Sequence, residues 1–132
     1  MDPFKEIVTR AKAAGLTDRK IHVLFTEAGI SHATFVNWNL KGVHKSIPRW
    51  LYLLKAAGKP IPPAKTSTWK YLGREAETLF QTAGYKPVEI ERWQKGDLLP
   101  IKVYKAVYHK LLQYEKDQKL IEKHQSYFKN SN

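Results

Sequence analysis

The sequence predicts an all-α protein in which one helical unit is used twice in tandem and a long C-terminal helix closes the second copy. Three observations carry this. The segment Leu24-Phe25-Thr26-Glu27-Ala28-Gly29-Ile30 recurs as Leu79-Phe80-Gln81-Thr82-Ala83-Gly84-Tyr85, 55 positions further on. Apolar residues follow helical spacing between residues suited to helix ends. The stretch Gly58-Lys59-Pro60-Ile61-Pro62-Pro63-Ala64-Lys65 separates the copies and is not helical, because its prolines remove donors and push preceding residues to extended conformations.

The repeat continues beyond its first segment. At the same offset Phe35 pairs with Ile90 and Trp38 with Trp93; Lys41-Gly42 then matches Lys95-Gly96 after one gap. After another gap, Ile47-Pro48 followed by Leu51-Tyr52 matches Leu99-Pro100 followed by Val103-Tyr104. Only the loop before the proline is shortened. The expected organisation is a first unit over 1–58, a linker over 59–66 and a second unit over 67–132.

In the first unit, Asp2 is an N-cap with Pro3 at the first helical position, and Phe4, Ile7, Val8, Ala11 and Ala14 form a stripe closed by Gly15. Thr17 caps a second helix through Ile21, Leu24, Phe25 and Ala28, ended by Gly29, whose missing β-carbon suits a tight turn. Ser31 caps a third helix with Phe35 and Trp38 inward, and a fourth runs from Pro48 to about Ala57. In the second unit the linker displaces the first helix, which is expected to be missing or reduced to a turn around Trp69, Tyr71 and Leu72. Helices follow near Arg74–Ala83 and Pro87–Gln94, and a long one runs from Pro100 with Tyr104, Val107, Tyr108, Leu111 and Leu112 as its apolar stripe. The end, from Ser126 to Asn132, is expected to fray.

Composition narrows the function. The 132 residues carry 23 Lys+Arg against 12 Asp+Glu, a formal charge of +11. That excess points to a polyanion, with nucleic acid first. It is shared evenly: 1–58 carries +5, 59–112 carries +5 and 113–132 only +1. The absence of cysteine excludes a disulfide framework, a thiolate metal site and a cysteine nucleophile, and fits a cytoplasmic setting. The N-terminus lacks a secretory pattern, and no apolar run approaches the roughly 20 residues of a membrane span. The histidines His22, His32, His44, His109 and His124 are scattered and suggest no metal set. Glu75 and Glu77, like Glu89 and Glu91, are two apart and fall on different helix faces, so no acid–base pair is suggested. No phosphate-cradling glycine loop or G-x-S-x-G is present, and neither an enzyme nor a cofactor is expected.

The segment Ala28-Gly29-Ile30-Ser31-His32-Ala33-Thr34-Phe35-Val36-Asn37-Trp38, with Lys41-Gly42 and Pro48 after it, resembles the helix-turn-helix of lambda-repressor and Cro-type DNA-binding proteins. The resemblance covers both copies, roughly 17–57 and 73–112, and implies two tandem helix-turn-helix units forming an internal pseudo-dimer. Two positions depart from the family pattern. Phe25 and Phe80 stand where a small alanine is usual, which implies altered helix packing, and Pro87 lies just inside the second recognition helix.

The resemblance places recognition helices at about 31–39 and 86–94, each standing proud enough to enter a major groove. With Ile30, Phe35 and Trp38 in the core, the first presents Ser31, His32, Ala33, Thr34, Val36 and Asn37 outward. Asn37 suits adenine, Val36 or Ala33 a thymine methyl, and Ser31 or Thr34 a phosphate; the charge of His32 depends on pH. The second presents Lys86, Pro87, Val88, Glu89, Glu91 and Arg92. Arg92 suits guanine, and Glu89 or Glu91 suits cytosine N4. Lys41, Lys45, Arg49, Lys95 and Lys102 are placed for backbone phosphates. Trp38 and Trp93 are read as core anchors. The expectation is a double-stranded DNA-binding regulator of transcription or DNA processing, in which one chain supplies both heads. Two readings stay open beside it: a single DNA reader whose second unit and C-terminal helix serve a homodimer or protein partner, and a non-DNA adaptor for an acidic protein.

Overall fold

The computed structural model describes the backbone of residues 2–130 and the side chains of residues 2–124. Four of the helices begin where a short polar side chain satisfies a free backbone N–H. Asp2 Oδ1 accepts from Phe4 N at 2.7 Å and starts α1 (Pro3–Ala13). Thr17 caps α2 (Asp18–Ala28), and Ser31 caps α3 (His32–Lys41) by accepting from Thr34 N at 3.1 Å. The fourth helix, α4 (Ser46–Ala56), opens two residues before Pro48; its N-cap Lys45 makes no side-chain cap hydrogen bond, and Ser46 N donates to His44 Nδ1 at 3.1 Å. No strand is present among the described residues.

The first helix of the second copy is present, though short: α5 (Thr68–Leu72), capped by Ser67. A 3₁₀ turn, Gly73–Glu75, leads into α6 (Ala76–Thr82), followed by α7 (Pro87–Gln94) and α8 (Leu99–Asn130). The helical backbone of α8 continues past Ser126, where fraying was expected, as far as Asn130; residues 131–132 lie outside the described residues.

The two copies repeat down to single hydrogen bonds. Gly29 has φ +125° and Gly84 φ +89°. Around them Ile30 N donates to Phe25 O and Tyr85 N to Phe80 O, while Gly29 N donates to Thr26 O and Gly84 N to Gln81 O. A β-carbon at Gly29 would meet Val103 Cγ2 at an ordinary 3.6 Å, so conformation rather than space requires glycine there.

Phe25 and Phe80, both wholly buried, explain the departure at these two positions. Phe25 lies 5.1 Å from Phe4, 5.5 Å from Phe35 and 6.2 Å from Trp38, ring to ring. Phe80 lies 5.6 Å from Trp69, 4.9 Å from Tyr85 and 5.3 Å from Trp93. Each copy is therefore built around an aromatic hub, into which a small side chain would introduce a cavity. Trp38 and Trp93 are buried in these hubs, as expected of anchors.

The long last helix, expected to close the second copy, packs instead on helices of the first. It packs against α1, α2 and α4, and Ile101, Val103, Tyr104, Val107 and Leu111 are buried. Val103 faces the Gly29 turn, and Tyr104 stacks edge-on against Trp50 of α4 at 6.0 Å. A helix covered on several sides loses the single apolar stripe that marks a surface helix. The buried residues of both copies form one hydrophobic cluster. The segment 59–66 is stitched to this core: Tyr71 Oη donates to Pro60 O at 3.1 Å, and His109 Nε2 lies 2.7 Å from Pro62 O. Among the described residues, no helix is long and apolar enough to cross a membrane.

Candidate nucleic-acid interface

The α2–turn–α3 and α6–turn–α7 pairs each leave one helix face uncovered. On α3, Val36, Asn37 and the following Leu40 are exposed, as are Lys41 and Lys45 beyond it. Leu40 is 75% exposed, an uncovered apolar side chain beside the candidate contact residues. Ser31 and Thr34 are engaged with each other, since Ser31 Oγ caps Thr34 N and also donates to Thr34 Oγ1 at 3.1 Å.

His32 is not isolated. His22 Nε2 lies 2.9 Å from His32 Nδ1, so one ring donates to the other, and His22 packs edge-on against Phe35 at 4.8 Å. Two of the histidines that are scattered in the sequence thus meet in space, and the contact fixes the His32 ring at the start of α3. Among the described residues, no group of three or more His, Cys, Asp or Glu is arranged to hold a metal.

On α7, Val88, Glu91 and Arg92 are exposed, as are Lys86 and Lys95 at its two caps; Val88 is 66% exposed. Glu89 differs. Its Oε2 accepts from Arg49 Nη1 at 2.5 Å, and its Oε1 accepts from Lys86 N at 2.9 Å, closing half of a capping box. The Arg49 hydrogen bond, helped by the Lys86 backbone N–H, holds the Glu89 carboxyl below the usual carboxylate range. Arg49 also donates from Nη2 to Gly84 O at 2.8 Å and lies 3.9 Å above the Tyr85 ring. The two residues expected to meet cytosine and a phosphate therefore meet each other. Sequence spacing held no signal for this contact, which joins residues 40 positions apart.

Behind that contact lies a cleft of about 340 Å³ between the copies, lined by Lys45, Ser46, Arg49, Glu89 and Arg92 among others. Its walls come from the start of α4 and from α7. Burial pushes the Tyr85 phenol up to about 12, and its hydroxyl meets no hydrogen-bonding group of the protein. Comparison of the chain with known protein families, with curated proteins and with solved structures gives no match.

Proposed function

We propose that this protein binds double-stranded DNA through two helix-turn-helix units on one chain, with α3 and α7 as the reading helices. The observation that carries the reading is the recurrence of one glycine turn, with the same backbone hydrogen bonds, before two helices that leave polar, apolar and basic side chains uncovered. Asn37 and Val36 on α3, and Arg92 and Val88 on α7, supply the amide, guanidinium and methyl contacts that distinguish bases in a major groove. Lys41, Lys45, Lys86 and Lys95 flank them for phosphates. The equivalent helices α4 and α8 pack on each other, as matching surfaces do across a two-fold dimer interface, which favours one chain acting as two heads.

Selection of bound sequences from a random duplex pool, followed by footprinting of the selected site, tests this reading. The expected result is one monomer protecting two successive major-groove segments of different sequence. Binding that ignores sequence and barely weakens with salt would overturn it in favour of an adaptor for an acidic protein. A second reading has a specific observation behind it: Glu89 is withdrawn into an ion pair and Glu91 leaves a carboxylate on the outer face of α7. In that reading α3 alone reads bases, and footprints of half the length are expected.

A further inference from the structure

We propose that Arg49 is a positioning residue that locks the N-terminal turn of α7 to the first copy and so sets a single separation between α3 and α7. The meaning of that separation for DNA rests on the function proposed above; the lock itself does not. One guanidinium makes three contacts that converge on the same turn: Glu89 Oε2 at 2.5 Å, Gly84 O at 2.8 Å and the face of the Tyr85 ring at 3.9 Å. Its planar fork of donors is suited to holding two acceptors in fixed directions, which a lysine ammonium does not do. The partners span the turn and the first residues of α7, the end of a reading helix that enters a groove.

The contact is not inherited from the repeat. The position matching Arg49 in the second copy is Ile101, wholly buried, and the position matching Glu89 in the first is Thr34, which is engaged with the Ser31 cap. Arg49 and Glu89 therefore form a one-way brace from α4 to α7. Both side chains are more than one-third exposed, so the pair adds little to stability. What it adds is geometric restraint. The cleft beside it leaves room for α7 to shift relative to α4 when the brace is absent.

Because the chain contains no cysteine, spin labels can be placed cleanly at Asn39→Cys on α3 and Glu91→Cys on α7, both exposed. Pulsed dipolar spectroscopy should give one narrow distance distribution in the otherwise unchanged protein and a broader one with Arg49→Met or Glu89→Gln added. Glu89→Gln keeps an oxygen for the Lys86 N–H, which separates loss of the brace from loss of the helix cap, and Arg49→Lys should broaden the distribution too. Unchanged widths in Arg49→Met and Glu89→Gln would overturn the proposal, whether or not DNA is bound. On a selected site, inserting one base pair between the two segments turns them apart by about 34°. Unlabelled wild-type protein should then lose about tenfold in affinity and Arg49→Met distinctly less. A variant as strict as wild type overturns the proposal. A wild-type protein without sequence preference defeats the DNA reading instead, and the distance widths still decide the brace.

Discussion

Lys105 on α8 and Asp97 in the loop before it form an ion pair almost wholly out of water, with side chains 2% and 1% exposed. Lys105 Nζ also donates to Thr66 O at 2.7 Å, and Asp97 Oδ1 accepts from Thr68 N at 2.9 Å. Thr68 Oγ1 in turn accepts from Trp50 Nε1 at 2.9 Å. The pair therefore ties the linker, α5, α4 and α8 together at one point. In the repeat Lys105 matches Leu53, which is wholly buried, so a charge stands where the first copy has a core leucine. Removing one partner of such a pair leaves the other charge buried and uncompensated. Lys105→Met should lower unfolding free energy by about 3–5 kcal/mol, while Asp97→Asn with Lys105→Met should cost less than the two single changes together. Urea unfolding of the three variants checks this.

The Tyr85 hydroxyl is buried without a partner among the protein's own groups, whereas its ring carries Arg49 and packs on Phe80 and Trp93. Tyr85→Phe keeps the ring and removes the unsatisfied group. It should raise stability by about 1 kcal/mol in the same unfolding experiment. Tyr85 and Tyr104 are both pushed up to about 12 by burial. Their contribution to stability is whole below the ordinary phenol value of 10.0 and is lost as pH rises from there through about 12. Phenolate absorbance should show one late-ionising tyrosine fewer in Tyr85→Phe than in the unchanged protein.

Glu89 gives the opposite limb. Its carboxyl is held below the ordinary 4.5 by Arg49 first and the Lys86 N–H second. Its stabilising effect is present above 4.5 and is lost as pH falls through the lowered folded value. Compared with wild type, Glu89→Gln should show a shallower loss of stability on acidification, and the difference should shrink with added salt because the pair is partly exposed. Urea midpoints across the acid range at two salt concentrations measure it.

Asn37→Ala and Arg92→Ala test the two proposed reading helices separately. Each should cost about 1–3 kcal/mol on a selected site and relax base preference in its own segment only. Lys41→Ala, Lys45→Ala and Lys95→Ala should instead weaken binding evenly across sequences, each lowering the salt slope by about 1. Fluorescence anisotropy over a salt series provides both readouts. Indifference at Arg92 together with loss at Asn37 would favour the single-reader alternative.

What the sequence determined by itself was local. Asp2, Thr17 and Ser31 cap the helices they precede, Gly29 and Gly84 make the turns, and Phe25, Trp38, Phe80 and Trp93 are core residues, because each depends on neighbours a few positions away. The repeat made those signals readable twice. Tertiary structure alone decided which distant groups meet. It placed α8 against the helices of the first copy, set His22 beside His32, turned Arg49 and Glu89 toward each other, and buried Lys105 with Asp97. The physical reason is that a charge or an apolar face in a sequence states a need for a partner but not its identity. The partner is fixed only when the helices that carry both groups are packed around one core.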